Sequence, residues 1–250
     1  MEKYELSSGG DIYSYLYWTN DPMHLLLLHG AIGAADQMTA LAAKLQNDLT
    51  VHTLDFSGHG SRPFPQAPFS ISLFAGDVLT YMDEHKLEQA AVFGYSMGGY
   101  VGMYLARYHS SRISRLGTLA TKFHWDPAIA QRETQMINPD KIREKLPAFA
   151  RTLEQRHHPK DWKIVLERTA HMLTSLGEQP PLSPETYPSI AIPALLLLGD
   201  RDKMVSLDET LAVFKSLPNA QLGILPGTPH PIEQVNIDLL ACQLQTFYKG

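Results

Sequence analysis

The chain has 250 residues, 44% of them hydrophobic and 19% charged, which is enough for one large domain with a substantial core. A formal net charge of −5, with no basic run longer than a pair, argues against nucleic acid, whose phosphates need clustered Lys and Arg. The single cysteine, Cys242, excludes an intrachain disulfide and a cysteine metal site. The opening stretch "MEKYELSSGGDIYSY" is acidic and lacks an apolar core, which predicts no signal peptide. The longest aliphatic runs, "LLLL" at 25–28 and 195–198, are far too short to span a bilayer. Together these features predict a soluble, cytoplasmic chain without a membrane span.

In chain order, "KYELS" and "DIYSYLYW" alternate polar and apolar residues around Gly9 and Gly10, the pattern of an antiparallel hairpin at a sheet edge. "HLLLLHG" (24–30) then leads into the helical "AADQMTALAAKLQ". "LTVHTLD" (49–55) leads through a Pro-rich loop into "SLFAGDVLTYMDEHK", and "AAVFGYS" (90–96) into "MGGYVGMYLARYH". "ISRLGTLAT" (113–121) closes the first half. After residue 190 come "IPALLLLGD", the helical "LDETLAVFKSL", then "AQLGILPG" and a final helix "PIEQVNIDLLACQLQTFY". Uniformly apolar runs alternating with helices predict strands covered on both faces, hence a mainly parallel α/β sheet.

Residues 121–188 break this rhythm. They offer helical stretches, "NPDKIREKLPAFARTLEQ" and "KDWKIVLERTAHMLTSLG", separated by prolines, and no strand-like run. We read them as a helical insertion into a core formed by residues 1–120 and 189–250.

The stretch "GYSMG", Gly94 to Gly98, fits G-x-S-x-G where an apolar strand meets a helix. A turn this tight strains the serine backbone and needs neighbours without side chains. It lifts the Ser96 hydroxyl out of the sheet and aims the Met97 N–H at an adjacent oxyanion. Gly98, Gly102 and Ala106 fall on one helix face, which lets the helix lie close to the strands. A glycine-rich turn alone is common; its placement between strand and helix favours the catalytic reading.

A serine is a poor nucleophile without a base and an orienting acid. Downstream, "LLLLGDRD" ends a strand with Asp200 and Asp202, and "LPGTPHPIEQ" places His230 in a Gly- and Pro-rich loop before the last helix. Composition alone does not separate the two aspartates. The remaining histidines carry weaker signals. His157 and His158 lack the i, i+4 spacing that would set both on one helix face, so a metal role is not expected. His124 and Trp125 open the insertion, where a pocket-lining and a packing role are equally compatible. His109 and His171 sit in helical patterns that favour solvated or capping roles. A second oxyanion donor is available after "LLLLHG", where Gly30 permits the backbone to turn the Ala31 N–H toward the serine.

At these residues the sequence resembles the α/β-hydrolase superfamily. "HGAIGA" looks like its oxyanion loop, "DFSGHGSR" is similar to its D-x-x-G-x-G-x-S, "GYSMGG" to its elbow, and "GDRDKMV" with "PGTPH" to its acid and histidine loops. One departure is visible: Arg62 stands where the family has serine, with Ser61 displaced by one position. The resemblance implies an eight-stranded, mainly parallel sheet and a helical cap, which residues 121–188 would supply. It also places the acid on Asp202 through G-x-x-D-x-x-V, and implies a catalytic set of Ser96, Asp202 and His230 with Ala31 and Met97 as oxyanion donors. The activity implied is a cofactor-free, metal-independent serine hydrolase acting on a carboxylic ester or related acyl bond of a small molecule. Serine at the nucleophile position argues against the haloalkane and epoxide branches, which need a carboxylate there. The same residues suit a carbon–carbon bond hydrolase or menaquinone-pathway-type lyase, a cofactor-free perhydrolase of the haloperoxidase kind, and a ligand sensor that signals through its cap. Oligomeric state is not readable from the sequence.

Overall fold

Leu25 to Leu28 are wholly buried in the computed structural model, which describes residues 23–250. A run apolar at every position has no face to offer water, and it becomes β1 (His24–Leu28), a strand covered on both sides. A 3-10 turn at Ala35–Met38 and α1 (Thr39–Leu45) follow, then β2 (Thr50–Thr53), α2 (Ile71–Glu84), β3 (Ala90–Tyr95), α3 (Met97–Tyr108) and β4 (Ile113–Leu119). Four helices then intervene: α4 (Pro127–Met136), α5 (Pro139–Lys145), α6 (Pro147–His157) and α7 (Trp162–Glu178). The sheet resumes with β5 (Ala194–Gly199), α8 (Leu207–Ser216) and β6 (Ala220–Leu225), and α9 (Ile237–Lys249) ends the chain's regular structure.

The six strands form one sheet in the order β2-β1-β3-β4-β5-β6, and every adjacent pair is parallel. Strand order reverses after β2, so β1 and β3 flank a switch point where the loops leaving their C-terminal ends part to opposite sides, the place such sheets bind ligands. About eight strands are implied by the family resemblance; six lie among the described residues, and the expected N-terminal hairpin falls outside them. The final helical stretch is shorter than the sequence pattern suggests. Residues Ile232–Gln234 make a 3-10 turn, and α9 starts only after Asn236, whose side chain accepts the Leu239 N–H.

Two apolar layers sandwich the sheet. On one face β1 and β3 supply Leu25, Leu27, Ala91 and Phe93 to a cluster with Leu41 and Leu45 of α1 and Leu240 and Leu244 of α9. On the other, Leu26, Leu28 and Val92 pack with α2 and α3. Alternate residues of one strand thus feed opposite layers, as a period of two requires.

The insertion joins the second layer. Ile142, Leu153, Val165, Leu166 and Leu173 belong to the same buried cluster as α2 and α3. Three of its four helices begin where prolines stand. Pro127, Pro139 and Pro147 each occupy the first turn, where a missing N–H removes no helical bond. Asp126 and Asn138 cap the first two through Ile129 N and Lys141 N. Among the described residues no helix is long and apolar enough to cross a membrane.

Candidate active site

Ser96 joins β3 to α3 with φ 51° and ψ −116°, a region that side-chain-bearing residues rarely adopt. Such a conformation costs on the order of 1–3 kcal/mol and persists only where the surroundings dictate it. Here its N–H donates to Leu119 O at 2.8 Å, while its own carbonyl accepts from Thr121 Oγ1 at 3.1 Å and Gly99 N at 3.0 Å. The flanking glycines answer to crowding. A Cβ on Gly94 would lie 2.2 Å from the Gly98 carbonyl carbon, and one on Gly98 would lie 2.4 Å from Leu28 O.

At the far edge of the same crevice, His230 Nδ1 lies 2.8 Å from Asp202 Oδ2. The carboxylate accepts, so the ring N–H sits on Nδ1 and Nε2 keeps a free lone pair. The Asp202 side chain is 1% exposed. Burial alone would raise its pKa, but the bond and charge of His230 and the N–H groups of Val205 and Met204 outweigh it and hold the carboxyl below its ordinary value. Asp200, the other aspartate of this loop, faces elsewhere: its Oδ1 accepts the Thr228 N–H at 3.1 Å, bracing the loop that carries His230.

Ala31 and Met97 both line the crevice, and neither backbone N–H has an acceptor among the described residues. Met97 opens α3, so its N–H is one of the free donors of a helix start and lies at the positive end of the dipole. The Ala31 N–H is aimed by its own peptide plane. Gly30 O accepts from His29 Nδ1 at 2.8 Å and from Gly33 N at 3.2 Å. In a trans peptide the N–H of the next residue then points the opposite way.

Ser96, His230, Ala31 and Met97 line one cavity of about 360 Å³. Apolar side chains dominate the rest of the wall, with Ile137, Phe149, Leu173 and Leu176 from the insertion facing Ile71 and Val205 of the core. Each cation on the wall is matched by carboxylates. Lys122 Nζ lies 3.6 Å from Glu133 and 3.9 Å from Glu209, and Arg156 lies 3.0 Å from Asp36 and 3.3 Å from Glu233. Among the described residues no group of His, Cys, Asp or Glu is arranged to hold a metal ion.

The structure thus brings together all five residues singled out from the sequence. It also explains Arg62, whose guanidinium lies 2.9 Å from the buried Asp77 carboxylate and ties the entrance loop to α2. Trp125 reaches the cavity wall, whereas His124 is exposed and faces Asp126 at 3.5 Å. Sequence reasoning missed Lys122, Glu133 and Arg156, which no local motif marks. It also set His157 aside, although that ring is wholly buried against the loop that follows β1.

The profile of the alpha/beta hydrolase fold matches residues 23–162, more than half of the chain, and the chain belongs to that family. A protein of Synechocystis sp. provisionally named a non-heme chloroperoxidase is 26% identical over 94% of this chain and 93% of its own length. Esterase YbfF of Escherichia coli is 32% identical over 37% of this chain and 36% of its own. The crystal structure of an enol-lactonase from Burkholderia xenovorans superimposes with a TM-score of 0.77 at 20% identity, covering 93% of this chain and 94% of that one.

Proposed function

We propose that the protein is a serine hydrolase that cleaves a carboxylic ester or related acyl bond of a small, uncharged, largely apolar molecule. The observation that carries this reading is the strained Ser96 on the same cavity wall as a His230 whose Nδ1–H is fixed by Asp202. Ser96 Oγ attacks the acyl carbon as His230 Nε2 takes its proton, and the carbonyl oxygen becomes an oxyanion held by the Ala31 and Met97 N–H groups. Collapse of this intermediate breaks the bond to the leaving alcohol, which receives the proton from His230. Water then repeats the sequence on the acyl-enzyme and releases the acid. Asp202 holds the ring tautomer and stabilises the imidazolium that forms in each half.

The apolar wall and the internally paired cations favour a neutral acyl group over a carboxylate, since neither Lys122 nor Arg156 carries charge left unmatched. Helices α4, α6 and α7 act as a cap, because with Ile137 they supply much of that wall and exclude water from the reacting centre. The experiment is a panel of p-nitrophenyl esters of increasing chain length, run beside Ser96→Ala. Turnover that Ser96→Ala loses by several orders of magnitude fits the reading, and equal turnover by both contradicts it.

The likeness to the Synechocystis protein favours a second reading, perhydrolysis. Hydrogen peroxide would take the place of water on the same acyl-enzyme and release a peracid. Peracid formed from ester plus peroxide faster than acid from ester alone would select it.

A further inference from the structure

We propose that His157, at the C-terminal end of α6, is a positioning residue that seats the oxyanion loop through the Ile32 carbonyl, so that docking of the insertion sets the aim of the Ala31 N–H. The inference rests on the hydrolase reading for its effect on rate, though not for its effect on the loop.

The geometry dictates the chemistry of this ring. Gly60 N–H lies 3.1 Å from His157 Nδ1, and a backbone N–H can only donate, so Nδ1 is the acceptor. The proton therefore resides on Nε2, which donates to Ile32 O at 3.0 Å. Both nitrogens are used, the ring is 0% exposed, and the two loops it joins are 97 and 125 residues away in sequence. Only the neutral ring satisfies both bonds. Burial and the charges of Arg156 and Lys160 favour that form, against the Ile32 bond and Asp36, and the rings of His29 and His59 next to it are themselves buried.

The loop needs such an anchor. Ile32 has φ 53°, where a β-branched residue is a genuine outlier. Strain of that kind persists only if neighbours over-determine it. His29 and Gly33 fix the Gly30 carbonyl, in the peptide that carries the Ala31 N–H, and His157 fixes the Ile32 carbonyl two peptides further on. Of these three, only His157 comes from the insertion, and Lys160, three residues on, donates to Gly60 O from the same side. The sequence position gives no hint of this, because the partners are backbone groups.

The test separates the two bonds with two polar substitutions of similar size. His157→Gln places an amide N–H near the Nε2 position and keeps the Ile32 bond, while His157→Asn reaches only the Gly60 N–H. Arg151→Gln, exposed on the same helix, is the control. Hydrogen exchange of the 30–33 amides is measured with kcat and KM for p-nitrophenyl butyrate, normalised to folded protein. We expect faster exchange over 30–33 in His157→Asn alone, with kcat lowered about ten- to a hundred-fold, KM within about twofold, and kcat in His157→Gln within about threefold of wild type. Equal exchange over 30–33 in the Asn and Gln variants overturns the proposal, as does equal kcat in the two. If wild type shows no Ser96-dependent turnover but the exchange pattern holds, the seat of the loop stands and the hydrolase reading fails.

Discussion

Asp200 and Asp202 stand two positions apart at the end of β5, yet their carboxylates serve different partners. Asp202 Oδ2 meets His230 Nδ1, whereas Asp200 Oδ1 meets the Thr228 N–H. In the proposed mechanism only the first bond changes strength during reaction. Asp202→Asn is therefore expected to retain the fold while lowering kcat by around 10⁴. Asp200→Asn loses part of one solvent-screened, charge-assisted brace at an exposed position, and is expected to lower Tm only slightly with kcat within about tenfold. Measuring kcat and Tm of both variants settles the roles, and a severe kcat loss confined to Asp200→Asn would reverse them. What was legible at this scale followed locality. The Ser96 turn, the Asp200–Asp202 pair and the His230 loop are each set by a few consecutive residues. His157, Lys122 and Arg156 meet partners that only folding brings near, so no spacing in the chain announces them.

Two glycines, in α2 and α3, show how element packing sets the cost of a methyl group. A Cβ on Gly98 would lie 2.4 Å from Leu28 O and 2.7 Å from His29 O, so α3 lies on β1 with no room between. Gly98→Ala must push the helix away from the strand and carry the Ser96 turn with it. We expect a lower Tm together with slower ester turnover. Gly76 in α2 has nothing within 4 Å of its would-be Cβ and an ordinary helical backbone. Gly76→Ala should stabilise by about 0.5–1 kcal/mol and leave kcat unchanged. Thermal melts of the two variants provide the comparison, and a Tm change of the same sign in both would contradict the packing argument. The alternation of strands and helices was readable because apolar runs and glycine punctuation report burial directly. The seat of α4 to α7 was not. Their prolines mark where helices begin, but the faces that dock are chosen by the shape of the α2–α3 layer.

Across the whole molecule, three wholly buried histidines, His29, His59 and His157, gather at the loops that follow β1 and β2. Burial is the largest influence on each and lowers all three pKa values, that of His29 to about 4. In the unfolded chain they take up protons near pH 6.5, while the native rings stay neutral to lower pH. The unfolded state thus binds more protons below about pH 6.5, and stability must fall as pH falls through this window. The full contribution is present above about pH 6.5, and the slope below it is on the order of 1 kcal/mol per pH unit for each ring. His59 offers the cleanest test, because its Nε2 has no partner and its ring packs among Phe56, Phe69 and Phe74. His59→Phe is expected to shrink the Tm difference between pH 7.5 and pH 5, whereas a difference equal to wild type would show that this ring does not carry the acid sensitivity.

The central claim is that Ser96 forms a covalent intermediate with the help of His230. A fluorophosphonate probe reports that step without requiring the natural substrate, because its phosphorus is attacked as the acyl carbon would be. Intact-mass analysis after labelling, with peptide mapping, should show one probe per chain on the peptide containing Ser96. Ser96→Ala should remain unlabelled, and His230→Ala should be labelled at least a hundred-fold more slowly. Labelling of Ser96→Ala at the wild-type rate, or a wild type left unmodified by a large excess of probe, would contradict the account.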